Sequence, residues 1–144
     1  MPPKPRRPDL AAMLAPLIRR LIAAEGPVLA AHGLSMWGYS VLCALDEAPV
    51  RTQAALAEAI GADKTRIIGT LDELQDGGYI ERRPDPADRR ARLLAITDAG
   101  RALKDAVQDE IQRGEERYLS VLSASERRVF LRALHEMTRV DETP

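Results

Sequence analysis

The chain has 144 residues, 45% of them hydrophobic, and a net charge of −1, which suits one globular domain and does not by itself indicate a nucleic-acid partner. One cysteine excludes an intrachain disulfide framework and agrees with a cytoplasmic location; with the two histidines it forms no zinc-binding spacing, so we expect neither a metal nor a cofactor. Charged residues interrupt the apolar run Leu10–Leu29, which excludes a membrane span and a signal core.

Residues 1–8 read MPPKPRRP, with four prolines and three basic residues. This composition predicts a disordered, extended tail. The tail either touches DNA phosphates as a basic arm or has no specific role. The remaining residues, 9–144, are predicted to form a single domain.

The first predicted helix covers about residues 10–32. Its apolar residues recur in steps of four and three and extend beyond one face. A helix that is apolar on several sides needs more burial than its own small domain supplies, so we predict a subunit interface; burial within one subunit is the alternative. Pro16 and the Gly26–Pro27 pair should kink the helix or divide it.

The second predicted helix follows Ser35, its N-cap, and runs to about Ala48. Cys43 lies on it between Leu42 and Ala44, with no basic neighbour to lower the pKa of its thiol. An inert thiol is therefore favoured over an oxidant sensor. The predicted inward stripe of this helix is Trp37, Val41, Leu45 and Ala48.

Two short helices are predicted next, joined by a tight turn at Gly61. Thr52 caps the first helix and Asp63 caps the second. The inward apolar positions are Leu56, Ile60, Ile67, Leu71 and Leu74. With these residues inward, the opposite face of the second helix points outward, and the positive end of its dipole, at residues 64–69, favours phosphates.

The outward residues of this pair of helices suit contacts with duplex DNA. A glycine in an exposed helix, such as Gly69, lowers helix stability by about 1 kcal/mol relative to alanine. Either Gly69 allows the helix to approach the duplex closely, or the glycine is merely tolerated. The contacts we expect are with phosphates for Gln53 and Lys64, with base edges for Thr65 and Arg66, and with a thymine methyl for Ile68.

A hairpin is predicted after the second short helix, with strands at residues 79–83 and 91–96 and a turn at residues 84–90. The helix-turn-helix followed by a hairpin is the order of a winged helix, whose second helix enters a major groove. Arg89 and Arg90 at the hairpin tip suit the narrow minor groove. Asp88 is expected to orient the Arg90 guanidinium by a charge-assisted pair. An ordinary solvated surface is the alternative.

The segment DPADRRARLLAITDAGR, residues 85–101, carries a family resemblance. Its Asp88, Arg90, Ile96, Thr97 and Gly100 resemble the wing and following helix of the multiple-antibiotic-resistance regulator (MarR) family. The resemblance implies a mainly α fold with a small antiparallel β wing. It also implies a homodimer that binds a pseudo-palindromic operator and releases it when a small molecule or an oxidant binds. The chain differs from this family at Gly69, where an arginine is common.

The resemblance also implies how the domain is organised. Residues of about 50–100 would form the DNA-binding lobe, and helices at about 10–32 and 98–140 would form the dimer contact. The effector pocket in such proteins lies beside the DNA-binding lobe and near the start of the second helix. The residues expected there, around a small aromatic or anionic effector, are His32, Met36, Trp37 and Tyr39. For Trp37 we favour a place in the core.

The function predicted from these features is that of a sequence-specific double-stranded DNA-binding transcriptional regulator, a repressor released by a small-molecule effector. A winged-helix module that binds proteins rather than DNA is one alternative, and a cysteine-based oxidant sensor of the same fold is another. An enzyme is not expected, because the chain has no glycine-rich phosphate loop after a strand, no nucleophile paired with a base and no metal spacing.

Overall fold

A computed structural model describes residues 1–140, in which the chain forms six helices and one two-stranded antiparallel sheet. The predicted mainly α class with a small β wing is confirmed. In chain order the elements are α1 (Leu10–Ala31), α2 (Met36–Glu47), α3 (Gln53–Ile60), α4 (Lys64–Asp76), β1 (Ile80–Asp85), β2 (Asp88–Ile96), α5 (Asp98–Leu119) and α6 (Ala124–Thr138).

These elements belong to two compact units, one comprising Met1–Ile111 and the other beginning at Gln112. Residues 1–9 precede α1 and are exposed, without helix or strand. Residues 141–144, the end of the predicted domain 9–144, lie outside the described residues. No single helix in the described chain is long and apolar enough to cross a membrane; the pair α1 and α2, bent by 88°, passes that test by length and composition only, as core helices also do.

The helix starts follow the predicted caps. The Ser35 hydroxyl accepts a hydrogen bond from Gly38 N at 3.0 Å, and Thr52 accepts one from Ala55 N at 3.0 Å. Asp63 Oδ1 accepts the N–H of Thr65 at 3.2 Å. Each cap satisfies a backbone donor that the helix itself leaves unpaired, typically worth about 1 kcal/mol. The caps therefore determine where α2, α3 and α4 begin.

The first helix is continuous through both of its prolines. Pro16 and Pro27 lie inside α1 and do not divide it, and the alternative that they kink it stays a prediction. Each proline removes one backbone hydrogen bond, which the remaining turns of a long helix can offset. Several large apolar residues of α1 stay 46 to 54% exposed: Leu10, Met13, Ile18 and Ile22.

The core of the first unit holds α4 against α2 and α3. Ile67, Leu71 and Leu74, the predicted inward stripe of α4, are 1 to 4% exposed. They pack in one cluster with Leu42 and Leu56, which are fully buried. Because three positions at helical spacing are buried, the opposite face of α4 must point outward.

The inward face of α2 differs from the predicted stripe. Val41 and Leu45 are buried, but Trp37 is only partly buried and Ala48 is exposed. Ala48 lies beyond the last helical residue, Glu47, so it does not continue the stripe. Leu42 takes an inward position instead, and the core place favoured for Trp37 is therefore wrong.

The wing strands are longer than predicted. The turn is reduced to residues 86–87, because β1 continues to Asp85 and β2 begins at Asp88. Asp85 Oδ1 accepts the N–H of Ala87 at 2.9 Å, so its carboxylate closes the tight turn. Backbone hydrogen bonds between Val50 and Leu94 add an isolated β-bridge to the wing.

An ionic network on α5 joins it to α2. Lys104 has only 9% of its side chain exposed, and its Nζ lies 2.6 Å from both Asp46 Oδ2 and Asp105 Oδ1. Arg101 Nε donates to Asp46 Oδ1 at 2.9 Å. The hydrogen bond from Lys104, followed by that from Arg101, lowers the pKa of the Asp46 carboxyl. The charged form of Asp46 therefore stabilises the contact between the two helices.

Replacing Asp46 with asparagine is expected to lower the free energy of unfolding by on the order of 1 kcal/mol at neutral pH. The folded-state pKa of Asp46 lies below the ordinary 3.8. The advantage of the wild type should therefore hold above that pH and disappear as the pH falls through the folded-state value. Urea denaturation of both proteins across this range measures it.

The matched control for this experiment is Glu47→Gln. Glu47 is the next residue of α2, is exposed, and makes no ion pair in the described chain. Its replacement should leave the free energy of unfolding almost unchanged at neutral pH. An Asp46→Asn effect that persists undiminished in acid would show that the carboxylate charge is not its cause.

Candidate nucleic-acid interface

The outward face of α4 carries all the residues predicted for it. Lys64, Thr65 and Arg66 occupy its first turn and are exposed, and Ile68 is 47% exposed on the next turn. The Asp63 cap holds the N–H of Thr65, so the backbone at the positive end of the helix is ordered. The N-terminal turns therefore present one basic, partly apolar surface that is suited to a groove edge.

Gly69 lies on the same face, and no packing explains it. A Cβ at this position would have no heavy atom of the described residues within 4 Å. Alanine would fit the fold and would favour the helix by about 1 kcal/mol. Packing therefore gives no reason for a glycine here, and close approach by an outside molecule stays our prediction for it.

The C-terminal half of α4 has the opposite charge. Asp72, Glu73 and Asp76 are all exposed there. A phosphate backbone would be repelled by this end and attracted by the first turn. Any duplex bound by α4 should therefore lie at its N-terminal turns. Gln53, the first residue of α3, is half-buried.

The wing arginines lie on a β-bulge, not in the turn where they were predicted. Pro84 pairs with Arg92 and Asp85 pairs with Asp88, so three residues of β2, numbers 89–91, have no partner on β1. Arg89 and Arg90 are both exposed on this bulge. Bulges bend a strand and redirect its side chains, which projects these two arginines from the wing.

Asp88 holds the backbone of Arg90 and not its guanidinium. Asp88 Oδ1 accepts the N–H of Arg90 at 3.0 Å, and the described residues contain no ion pair between the two side chains. The predicted charge-assisted pair is therefore wrong. An aspartate carboxylate readily reaches the backbone N–H two residues later in the chain. A pair with the guanidinium would require the long arginine side chain to fold back toward the aspartate. Asp88 thus shapes the bulge.

The arginines on the two exposed basic surfaces differ from Arg83 and Arg101 in their partners. Arg83 pairs with Glu81 at 2.6 Å, and Arg101 pairs with Asp46 at 2.9 Å. Within residues 1–140, no hydrogen bond or ion pair engages the side chains of Arg66, Arg89 or Arg90. Their guanidinium groups remain available to an anionic partner.

One basic residue beside this surface was not predicted. Arg51 precedes the Thr52 cap, has 65% of its side chain exposed, and places its Nε 3.3 Å from Asp85 Oδ2. Asp85 is 4% exposed, and this Oδ2 has no hydrogen bond of good geometry. The contact is therefore an ion pair without a well-formed hydrogen bond. The position of Arg51 directly before a capped helix could have indicated that it belongs to this surface. Its pairing with Asp85 could not be predicted from neighbouring residues.

The predicted effector residues have separate surroundings. His32 Nε2 lies 2.9 Å from Glu110 Oε1 on α5, which links the C-terminus of α1 to that helix. Met36 is 39% exposed, and Trp37 is partly buried. Of the four residues, only Tyr39 lines a cavity between α2 and α3.

Cys43 lies beside Tyr39 and is half-buried. Burial raises the pKa of the Cys43 thiol, while a hydrogen bond from Tyr39 and the charge of Lys104 only partly oppose that shift. The thiolate, which is the reactive form, is therefore scarce at neutral pH. This environment favours the inert thiol expected from the sequence over the oxidant sensor.

Comparison with protein families gives a match over the centre of the chain. Residues 32–91, which include α2, α3, α4 and most of the wing, match the sequence profile described as the MarR family. The match ends at the bulge, before the last part of β2.

Two curated or solved relatives extend the likeness. The HTH-type transcriptional repressor NicR of Pseudomonas putida is 33% identical over 104 residues, covering 72% of this chain and 66% of NicR. The matched segment thus spans about two thirds of that relative's length. CouR of Rhodococcus jostii RHA1, bound to p-coumaroyl-CoA, is 27% identical, with a TM-score of 0.76 over 94% of this chain and 96% of CouR.

The same repressor has been solved with DNA. CouR bound to a 23-mer DNA duplex is 29% identical to this chain, with a TM-score of 0.72 over 91% of this chain and 93% of CouR. The likeness therefore covers the winged helix and the flanking helices together.

Proposed function

The chain belongs to the MarR family of winged helix-turn-helix transcriptional regulators, and from this premise we propose that it represses transcription by binding a pseudo-palindromic operator as a homodimer. A small-molecule effector then releases it from the DNA. The observation that carries the proposal is the pair of basic surfaces without internal partners, at the first turn of α4 and on the wing bulge.

Each surface has its own role on the duplex. Thr65 and Arg66 read base edges in the major groove, and Ile68 contacts a thymine methyl. Gly69 lets the backbone of α4 come close to the bases. The residues that position the protein on phosphates or in the minor groove are Gln53, Lys64, Arg89 and Arg90, with Asp88 shaping the bulge under Arg90.

The domain organisation follows from this assignment. Residues of about 50–100 form the DNA-binding lobe, and the helices at about 10–32 and 98–140 contact a second copy of the chain. The exposed apolar residues of α1, and separately those of α6 such as Leu134 and Met137, are the surfaces that such a contact would cover. Two copies would place their α4 helices about one DNA turn, roughly 34 Å, apart.

Effector release is supported by the relative that binds a ligand. CouR has been solved with p-coumaroyl-CoA, an aromatic thioester with anionic phosphates. A small aromatic or anionic effector near His32, Met36, Trp37 and Tyr39 remains our proposal for this chain. The family is a class of regulators and not of enzymes; we expect no catalytic activity and a cytoplasmic location.

DNA selected from genomic fragments should bind this protein with an affinity that falls steeply with salt. Each neutralised phosphate contributes about −0.9 to the slope of log K against log salt. Six to ten such contacts would cost about a thousandfold or more between about 50 and 200 mM salt. Gel-shift titrations of the selected duplex at several salt concentrations measure this.

A shuffled duplex of the same length and composition is the control. It should bind more weakly than the selected duplex at every salt concentration, because it lacks the base contacts. If the chain prefers no duplex, or if binding does not depend on salt, the proposal fails. A winged-helix module that binds proteins would then be the better reading.

A further inference from the structure

We propose that the cavity between α2 and α3 binds a lipophilic amine, and that its occupation weakens the hold of α4 on DNA. The ligand site stands on the geometry of the cavity alone. Its effect on DNA rests on the proposed function.

The cavity has the size and walls of a ligand site. Its volume is about 490 Å³, within the roughly 300–1,000 Å³ of small-molecule sites. Ala44, Val50 and Ile60 give it an apolar wall that is continuous with the core. Tyr39 adds an aromatic ring. The cleft is open to solvent on one side, so a compact apolar body with one ring would bury one of its faces against this wall.

The polar groups of the cavity select the charge of the ligand. Glu47 lines it, is exposed, and makes no ion pair in the described part of the chain. Ser40 donates its hydroxyl proton to Met36 O at 3.0 Å, which leaves its oxygen as an acceptor. Among residues 1–140, no lysine or arginine lines the cavity. An ammonium group would therefore be attracted and a carboxylate repelled, and the ring of Tyr39 favours a cation as well.

The neutral thiol of Cys43 fits this assignment. Burial raises its pKa, so the wall beside Tyr39 stays uncharged at neutral pH. The thiol then acts as a polarisable surface and not as a nucleophile. Glu47 is the one charged group that lines the site in the part of the chain that the structure describes.

The position of the cavity connects it to the DNA-reading helix. Ile60 is both a wall residue and the last residue of α3. Gly61 follows in the left-handed conformation with φ 69°, and Asp63 caps α4 two residues later. A ligand that moves the end of α3 would therefore move the first turn of α4. It weakens DNA binding only if it prefers the moved state.

This site differs from the effector site predicted at the start of α2. Only Tyr39 belongs to both, since Met36 and Trp37 do not line the cavity. The two sites also select opposite ligands. The earlier expectation was an aromatic or anionic effector, whereas the Glu47 carboxylate selects against an anion.

The test uses phenethylamine as the probe and phenylacetate as the acid of the same size. Binding to the full chain without DNA is followed by amide NMR shifts. We expect phenethylamine to shift the amide signals of residues around Val50 and Ile60, and phenylacetate to leave those signals unchanged. Glu47→Gln should weaken the amine about two- to fivefold, as loss of a solvent-exposed charge pair does.

Two further variants distinguish binding in the cavity from nonspecific attraction of the amine to the protein surface. Ala59→Leu adds bulk at an exposed position that lines the cavity, and should weaken the amine about tenfold or more, as lost burial of several CH₂ groups would. Glu58→Gln removes an exposed charge from the same helix outside the cavity, and should bind the amine as the wild type does.

The outcomes are distinct. If the wild type does not bind phenethylamine, or if Glu47→Gln and Ala59→Leu both bind it unchanged, the site is overturned. If the amine binds but does not raise the Kd for the selected duplex in the wild type, the regulatory half is overturned and the site stands. A wild type that binds no duplex contradicts the proposed function, while the NMR titration still decides the cavity.

Discussion

Replacing Gly100 with alanine is expected to destabilise the protein by roughly 3 kcal/mol, the upper part of the range for overpacking a rigid site. An added Cβ would overlap the backbone oxygen of Tyr79 and stand 2.9 Å from Ile96 Cγ1. The Tyr79 oxygen has little room to move, because it accepts the N–H of Thr97 at 3.0 Å. The close approach of α5 to the start of the wing therefore requires a glycine.

The same substitution at Gly69 is the matched control. Gly69 also lies in a helix, but a Cβ there meets nothing within 4 Å. Gly69→Ala should raise the free energy of unfolding by about 0.5 to 1 kcal/mol. Urea denaturation followed by circular dichroism compares the two variants with the wild type. Similar stabilities for both variants would contradict the close contact at Gly100.

Alanine at Arg66 and alanine at Arg90 are expected to affect DNA binding in different ways. Arg66 lies on the outward face of α4, so its loss should change sequence preference, at about 1 to 3 kcal/mol of discrimination for a base contact. Arg90 lies on the wing bulge. Its loss should weaken binding to every duplex and reduce the salt slope by about one.

Arg83→Ala is the control for these two variants. Arg83 is also on the wing, but its Nε already donates to Glu81 at 2.6 Å, so its removal should change affinity much less. Gel-shift titrations with the selected duplex and with single-base variants of it give both affinity and preference. Circular dichroism verifies that each variant is folded. Equal losses for all three arginines would mean that only overall charge matters.

The helix-turn-helix could be predicted because its determinants are local. Thr52 and Asp63 cap helices whose apolar residues recur at helical spacing, and Gly61 ends the first helix with a positive φ. Capping and spacing act within one or two turns, so a sequence contains them directly. The outward face of α4 followed from the same spacing.

The wing could be predicted only in outline. Arginines at its tip were visible in the sequence, but the register that places Arg89 and Arg90 on a bulge was not. Register depends on pairing with the other strand and on the burial of Asp85, which lies beside Arg51 of a distant segment. The Asp88 carboxylate can accept a hydrogen bond from either of two groups of Arg90, the guanidinium or the backbone N–H. The spacing of the two residues in the sequence does not decide which of them it binds.

The sequence by itself determined the order of the helices, their capped starts, the hairpin and the presence of basic residues near its turn, because each depends on neighbours a few positions away. Only the tertiary structure decided the bulge, the pairing of Lys104 with Asp46, the contact of His32 with Glu110, and the cavity beside Tyr39. These features join residues that are far apart in the chain, and their geometry exists only once the helices have packed.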